Sequence, residues 1–139
     1  MKVAKIMHKG ATTIAPDTAV AAIAKTMAKS DIGAMPVASK GKIVGMVTDR
    51  DIACRAFADG HDAANLCARD VMSKKVVSCQ QDDEIEDALK LMRKKRVRRL
   101  VVLDGKDNVT GMLSLGDMAA HLTPKQSKRV LKAVAQPHS

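Results

Sequence analysis

The stretch Gly45-Met46-Val47-Thr48-Asp49-Arg50-Asp51 returns later in the chain as Gly111-Met112-Leu113-Ser114-Leu115-Gly116-Asp117. Each copy reads as the end of a hydrophobic strand, a hydroxyl residue at the turn, and an aspartate three residues on. Two equivalent helix entrances follow, and a helix entrance is where backbone N–H groups can face an anion. The repetition extends well beyond the motif. At a shift of 65 residues Met7 lands on Met72, Asp17 on Asp82, and the apolar set Val20, Ile23, Ala24, Met27 on Ile85, Ala88, Leu89, Met92. One extra residue in the intervening turn makes the shift 66, which brings Gly45, Thr48 and Asp51 onto Gly111, Ser114 and Asp117. Agreement of an apolar face, a turn and a strand-to-helix junction marks an internal repeat.

Within a repeat the pattern predicts β-α-β-β-α. In the first copy Val3 to Lys9 is a helical lead-in, and Thr12-Thr13-Ile14 is β-prone. Pro16-Asp17-Thr18 then breaks the extended run and offers a cap. A helix follows from Thr18 to Lys29, with its apolar residues at i, i+3, i+4, i+7, and Ser30-Asp31 ends it. Strands run over Ala34 to Ala38 and Ile43 to Thr48 around Ser39-Lys40-Gly41-Lys42. A second helix runs from Asp49 towards Ala58, stopped by Asp59-Gly60-His61-Asp62. The fold class expected is α+β: two repeats related by a pseudo-twofold axis, each a small sheet packed by helices, with two similar clefts. A repeat of about 60 residues is marginal as an independent core, so the copies are expected to pack on each other. The division is 1–62 for the first repeat with its lead-in, 63–122 for the second, and 123–139 for a basic C-terminal helix or tail outside the repeat.

Composition narrows the function classes. No apolar run approaches the ~20 residues that cross a bilayer, and the N-terminal stretch lacks the features of a signal peptide, so a cytoplasmic protein with no membrane partner is expected. Cys54, Cys67 and Cys79 are odd in number and widely spaced, which reads as reduced packing residues. The single Phe and the absence of Trp and Tyr leave the interior to aliphatic side chains and nine Met. The net charge of +9 is shared as +3 over residues 1–70 and +6 over residues 71–139, an excess that favours anionic partners without choosing among them. No Ser-His-Asp, Cys-His or paired-carboxylate constellation is legible, so an enzyme is not expected. His8, His61, His121 and His138 have no ligand spacing, and His61 with Cys67 or Cys54 is weak ground for a metal.

The doubled G-h-h-T/S pattern with its following aspartate, the Pro16-Asp17-Thr18 entrance and Asp31-Ile32-Gly33-Ala34-Met35-Pro36-Val37 together resemble a tandem pair of CBS domains, the cystathionine β-synthase repeat or Bateman module. The resemblance covers roughly residues 3 to 122. The layout is similar to small stand-alone bacterial CBS-pair proteins of the hypoxic response protein type. It implies a non-catalytic regulatory module, commonly a homodimer, that binds an adenine nucleotide (AMP, ADP or ATP) in its inter-repeat clefts and needs no further cofactor. With no enzyme or channel domain in the sequence, it would signal to a protein partner in trans. The resemblance assigns the ribose hydroxyls to Asp51 and Asp117, and the neighbourhood of the phosphates to Thr48 and Ser114. Adenine would lie against Thr13, Ile14, Met35 and Pro36 in one cleft, and against Val77 and Leu100 in the other. Arg50 would reach phosphate, whereas its counterpart Gly116 cannot, so unequal sites are expected.

Alternatives stand beside these assignments. Thr48 with Asp51 and Ser114 with Asp117 also read as capping boxes, as does Asp83 with Glu86. In the basic run Arg93 to Arg99, the residues Arg93, Lys94 and Lys95 read as a solvated helix end complementing the macrodipole. Arg98 and Arg99 enter a strand bordering a cleft, and alternation would turn one of them inward to a phosphate. Nucleic acid is not favoured, since no aromatic is interleaved for base stacking. The tail from Lys125 reads as a packing or dimer-contact helix. The second function considered is a ligand-free scaffold whose basic surface recruits an acidic partner.

Overall fold

The apolar spacing that predicts the first helix is met by α1 (Val20–Ser30), which buries Val20, Ile23 and Met27. Asp31 ends it in the left-handed conformation, at φ 52°. A computed structural model describes residues 1–58, 60 and 62–135 and falls into two compact units, Ala11–Val76 and Met1–Gly10 with Val77–Ser139.

In Ala11–Val76, β2 (Ala34–Ser39) and β3 (Lys42–Thr48) form an antiparallel hairpin. Its turn residues Lys40 and Gly41 both have positive φ, 53° and 77°, the combination whose twist matches two paired strands. The extended segment expected over Thr12 to Ile14 is reduced to one parallel bridge, Ile14 to Val37. Pro16, two residues on, has no N–H with which to continue a ladder. Its counterpart Gln81 does, and donates it to Leu103 O at 2.9 Å. Thr18 does not cap α1: its hydroxyl accepts from Ala15 N at 3.1 Å, and Val20 N finds Leu66 O at 3.0 Å. The second helix opens as α2 (Asp49–Asp51) and continues as a π-turn over Ile52–Phe57. There Ile52 and Ala56 are buried, while Arg55 leaves the helix to donate to Val71 O and Met72 O at 3.2 and 3.0 Å. The core holds Val20, Ile23, Met27, Met35, Val37, Val47, Ile52 and Ala56, closed by Ala68 and Val71 of α3 (Ala68–Val71).

In the other unit a four-stranded sheet has the order β1-β6-β5-β4. β1 (His8–Lys9) and β5 (Arg99–Leu103) run antiparallel to β6 (Val109–Ser114), and β4 (Ser78–Gln80) runs parallel to β5. As an interior strand β5 is buried continuously from Leu100 to Leu103, as expected when both faces are covered. α4 (Ile85–Lys95) and α5 (Leu115–Ala119) pack on the sheet, and α6 (Pro124–Val134) packs on α4. The cap expected from Asp83 and Glu86 is not formed. Glu84 is the N-cap of α4, and the Asp83 carboxylate instead accepts from Gln80 N at 2.9 Å.

The lead-in before each repeat is traded. Val3 lies fully buried in the core of the second repeat, whose sheet also takes β1, while Ala68 and Val71 close the core of the first. The lead-in expected to be helical is a 3-10 turn at Val3–Lys5 followed by the short strand β1. α6 is likewise part of the packing: Val130 is fully buried in the same core as Val3, and α6 lies against α4. Cys79 fits the packing reading, for burial, with Asp83 nearby, pushes its thiol up to about 12. Cys54, by contrast, is exposed, and Cys67 is half-buried with its thiol donating to Asp70 Oδ2 at 3.3 Å.

Candidate functional site

Both repeated motifs are true capping boxes. Thr48 Oγ1 accepts from Asp51 N at 3.1 Å while Asp51 Oδ2 accepts from Thr48 N at 2.9 Å. Ser114 and Asp117 do the same at 3.1 and 2.8 Å. In each box the carboxylate spends Oδ2 on the backbone and turns Oδ1 towards a nitrogen-bearing side chain. Asp51 Oδ1 lies 3.9 Å from Arg55 Nε, and Asp117 Oδ1 lies 3.6 Å from His8 Nε2. His8, which no sequence signal tied to this aspartate, arrives on the traded lead-in.

The glycine that begins each motif is fixed by the same trade. A Cβ on Gly45 would stand 2.6 Å from Met72 Sδ and 2.9 Å from Ser73 O, and one on Gly111 would collide with His8 O. The lead-in therefore crosses where only a hydrogen atom fits, which aligns His8 with Met112 and Ser73 with Met46.

Beside the second box lies a groove of about 490 Å³ lined by Arg98, Arg99, Ser114, Leu115, Gly116, Ala119, Leu131 and Ala135. Its size is in the range of small-molecule sites. Both arginines line it: Arg98 precedes β5, so strand alternation does not force the pair to opposite faces. Leu115 N donates to Arg98 O at 2.9 Å, tying the start of α5 to the start of β5. Its lining combines two guanidinium side chains with the aliphatic Leu115, Ala119, Leu131 and Ala135, a composition suited to a ligand with an anionic group and an apolar body.

The remaining expected residues are distributed as follows. Asp117 is next to the groove but does not line it. Val77 packs against the core of its unit, and Leu100 is 0% exposed. In the other unit Met35 and Pro36 are buried in β2, Ile14 is half-buried at its bridge, and Thr13 and Arg50 are exposed. Side chains of Met35 and Leu100 are thus committed to the core, leaving backbone edges for any ligand. Sequence reasoning missed Leu115, Ala119, Leu131 and Ala135. The available signal was the i, i+4 pair Leu131 and Ala135 on an amphipathic tail. His61 and His138 lie outside the described residues.

A twice-repeated α+β unit with matched capping boxes defines the class as a tandem-repeat module. The chain belongs to the CBS domain family, whose model matches residues 3–55 and 68–123. Modules of this family are in general regulatory rather than catalytic. The CBS domain-containing protein YhcV of Bacillus subtilis is 36% identical over 115 residues, covering 83% of this chain and 81% of that protein. Hypoxic response protein 1 of Mycobacterium tuberculosis is 29% identical over 133 residues, covering 95% and 92%. Among solved structures, the CBS domain protein TA0289 of Thermoplasma acidophilum superposes with TM-score 0.85 at 23% identity, over 98% of this chain and 77% of that one. The same fold is seen in CBSX2 in complex with AMP, with TM-score 0.73, 21% identity and coverage of 86% and 94%. It is seen again in the CBS domain pair of MJ0100 in complex with 5′-methylthioadenosine and S-adenosyl-L-methionine, with TM-score 0.76, 24% identity and coverage of 87% and 98%.

Proposed function

We propose that this chain is a non-catalytic sensor that binds an adenine nucleotide and passes its occupancy to a protein partner in trans, working as a homodimer. The observation that carries the reading is the groove at Ser114, which Arg98 and Arg99 line together with Leu115, Ala119, Leu131 and Ala135. Guanidinium groups suit phosphate, and aliphatic side chains suit the flat faces of a purine. Asp117 Oδ1, which lies 3.6 Å from His8 Nε2, has the chemistry to accept from ribose hydroxyls, and Asp51 would do the same in the first repeat. Adenosyl ligands held by CBSX2 and MJ0100 on the same fold support this choice of ligand. Arg50 in one repeat and Gly116 in the other make the two sites unequal. Signalling requires that the ligand bind two states of the module with different affinity.

Titration calorimetry with AMP, ADP and ATP tests the reading. Wild type is expected to bind at least one of them, and Arg98→Gln with Arg99→Gln to weaken binding at least ~10-fold, about 1.4 kcal/mol. Asp117→Asn keeps an acceptor for Ser114 N, removes the charge, and is expected to weaken binding as well. Absence of heat from wild type at millimolar nucleotide would end the proposal.

A second reading rests on charge. Lys125, Lys128, Arg129 and Lys132 are all exposed at i, i+3, i+4, i+7 on α6, and residues 118–139 contain no acidic side chain. This stripe would dock an acidic protein surface. Association that survives ~0.5 M salt, where exposed charges are screened within a few ångströms, would rule out that mode.

A further inference from the structure

α6 lies beyond the family repeat, which ends at residue 123, yet it supplies one side of the groove. Its buried side, marked by Val130, fixes the helix in the core of the unit. Thr123 and Gln126 cap its start reciprocally at 3.2 and 2.9 Å, and Pro124 stands in its first turn. Such a helix is an anchored element and not a loose tail. From it Leu131, 57% exposed, and Ala135 line the groove. Helical spacing places Lys128, Leu131, Lys132 and Ala135 at i, i+3, i+4, i+7, on one face. The apolar side of the groove is therefore flanked by two cations, with Arg98 and Arg99 also lining it. The first repeat is followed by Asp62 to Leu66 instead, with no basic residue in that segment.

We propose that α6 is the ligand-selecting wall of this groove, with Leu131 and Ala135 packing on the bound nucleotide and Lys128 and Lys132 favouring ADP or ATP over AMP. The inference rests on the nucleotide reading above and deepens it. The selectivity follows from charge: added phosphates bring added negative charge to a groove flanked by cations. Because Lys128 and Lys132 are exposed, the preference depends on ionic strength and is largest well below 0.1 M salt, where the Debye length exceeds ~10 Å.

The test is titration of AMP, ADP and ATP at low and at physiological salt into wild type, Lys128→Gln with Lys132→Gln, and Leu131→Glu. All three positions are exposed, so unchanged thermal melting should accompany each variant. Wild type is expected to bind ADP or ATP about tenfold more tightly than AMP at low salt. The double lysine variant should erase most of that ratio while leaving AMP affinity within about twofold, and Leu131→Glu should weaken all three nucleotides. Wild type that binds AMP as tightly as ATP, or a ratio unmoved by the lysine substitutions, overturns the inference while the nucleotide reading stands. Equal binding by wild type and Leu131→Glu does the same. A wild type that binds none of the three overturns both.

Discussion

At the scale of single residues, the glycines opening the two motifs carry an unexpected constraint. From sequence they look like strand residues before a turn, yet each is the point where the other repeat's lead-in passes against the sheet. Gly45→Ala is expected to push on Met72 Sδ and the Ser73 carbonyl, and Gly111→Ala on the His8 carbonyl. Backbone cannot yield as a flexible side chain does, so each substitution should cost about 1–3 kcal/mol. Gly105→Ala is the control, because its Cβ meets nothing within 4 Å, and it should stay within about 0.5 kcal/mol. Urea unfolding of the three variants checks this, and a Gly111→Ala midpoint equal to wild type would remove the crossing argument. The residues that could be named beforehand were those set by local chain geometry: Thr48, Asp51, Ser114 and Asp117 were recognisable as caps. His8 was not, because its approach to Asp117 depends on a strand pairing more than 100 residues away in sequence.

Elements follow the same division between local and distant causes. α1 and α4 were legible because their apolar spacing fixes a buried face without outside help, and the hairpin was legible from its Lys40-Gly41 turn. The bridge at Ile14 was overestimated as a strand because the missing N–H of Pro16 matters only once a partner strand is in place. α6 was recognised as an amphipathic helix, but which body it packs on is a tertiary fact, and so its part in the groove was not legible. The start of α4 yields an acid-stability prediction. Glu84 accepts from the amino group of Met1 at 2.8 Å and pairs with Lys2 at 2.9 Å. The bond from the N-terminal amine, then that from Lys2, holds its carboxyl down to about 2 from an ordinary 4.5. A carboxyl lowered in the folded state stabilises fully above its unfolded value, and that contribution is lost as pH falls from 4.5 towards 2. Glu84 is exposed, so solvent screening keeps the effect small. Melting temperature should nevertheless fall more steeply over that window in wild type than in Glu84→Gln, and parallel curves would show that the pairs contribute nothing.

For the whole molecule, the trade of lead-ins means that stability is not partitioned along the sequence. Val3 belongs by sequence to the first repeat and by packing to the second, where it shares a core with Leu100, Val102, Leu113, Met118 and Val130. Its neighbours bind the same body through the backbone, Val3 N to Asp83 O and Ala4 N to Gln81 O at 2.9 Å each, and Gly10 N to Thr110 O at 3.0 Å. Val3→Ala removes two buried methyl groups' worth of carbon from a residue with 0% exposure, which should cost about 2 kcal/mol once the residual cavity is included. Where that loss appears distinguishes the traded arrangement from a simple chain of two repeats. Native-state hydrogen exchange should show reduced protection in α4, β5 and β6, whose side chains surround Val3, while the amides of β2 and β3 keep theirs, because exchange reports the stability of the local cooperative unit. Ala68→Gly, removing the one side-chain carbon of the residue that occupies the corresponding place in the other core, should give the opposite map, with β2 and β3 losing protection first. If Val3→Ala instead weakens Ala34–Thr48, the lead-in serves the repeat it precedes, and the glycine crossings at Gly45 and Gly111 need another cause.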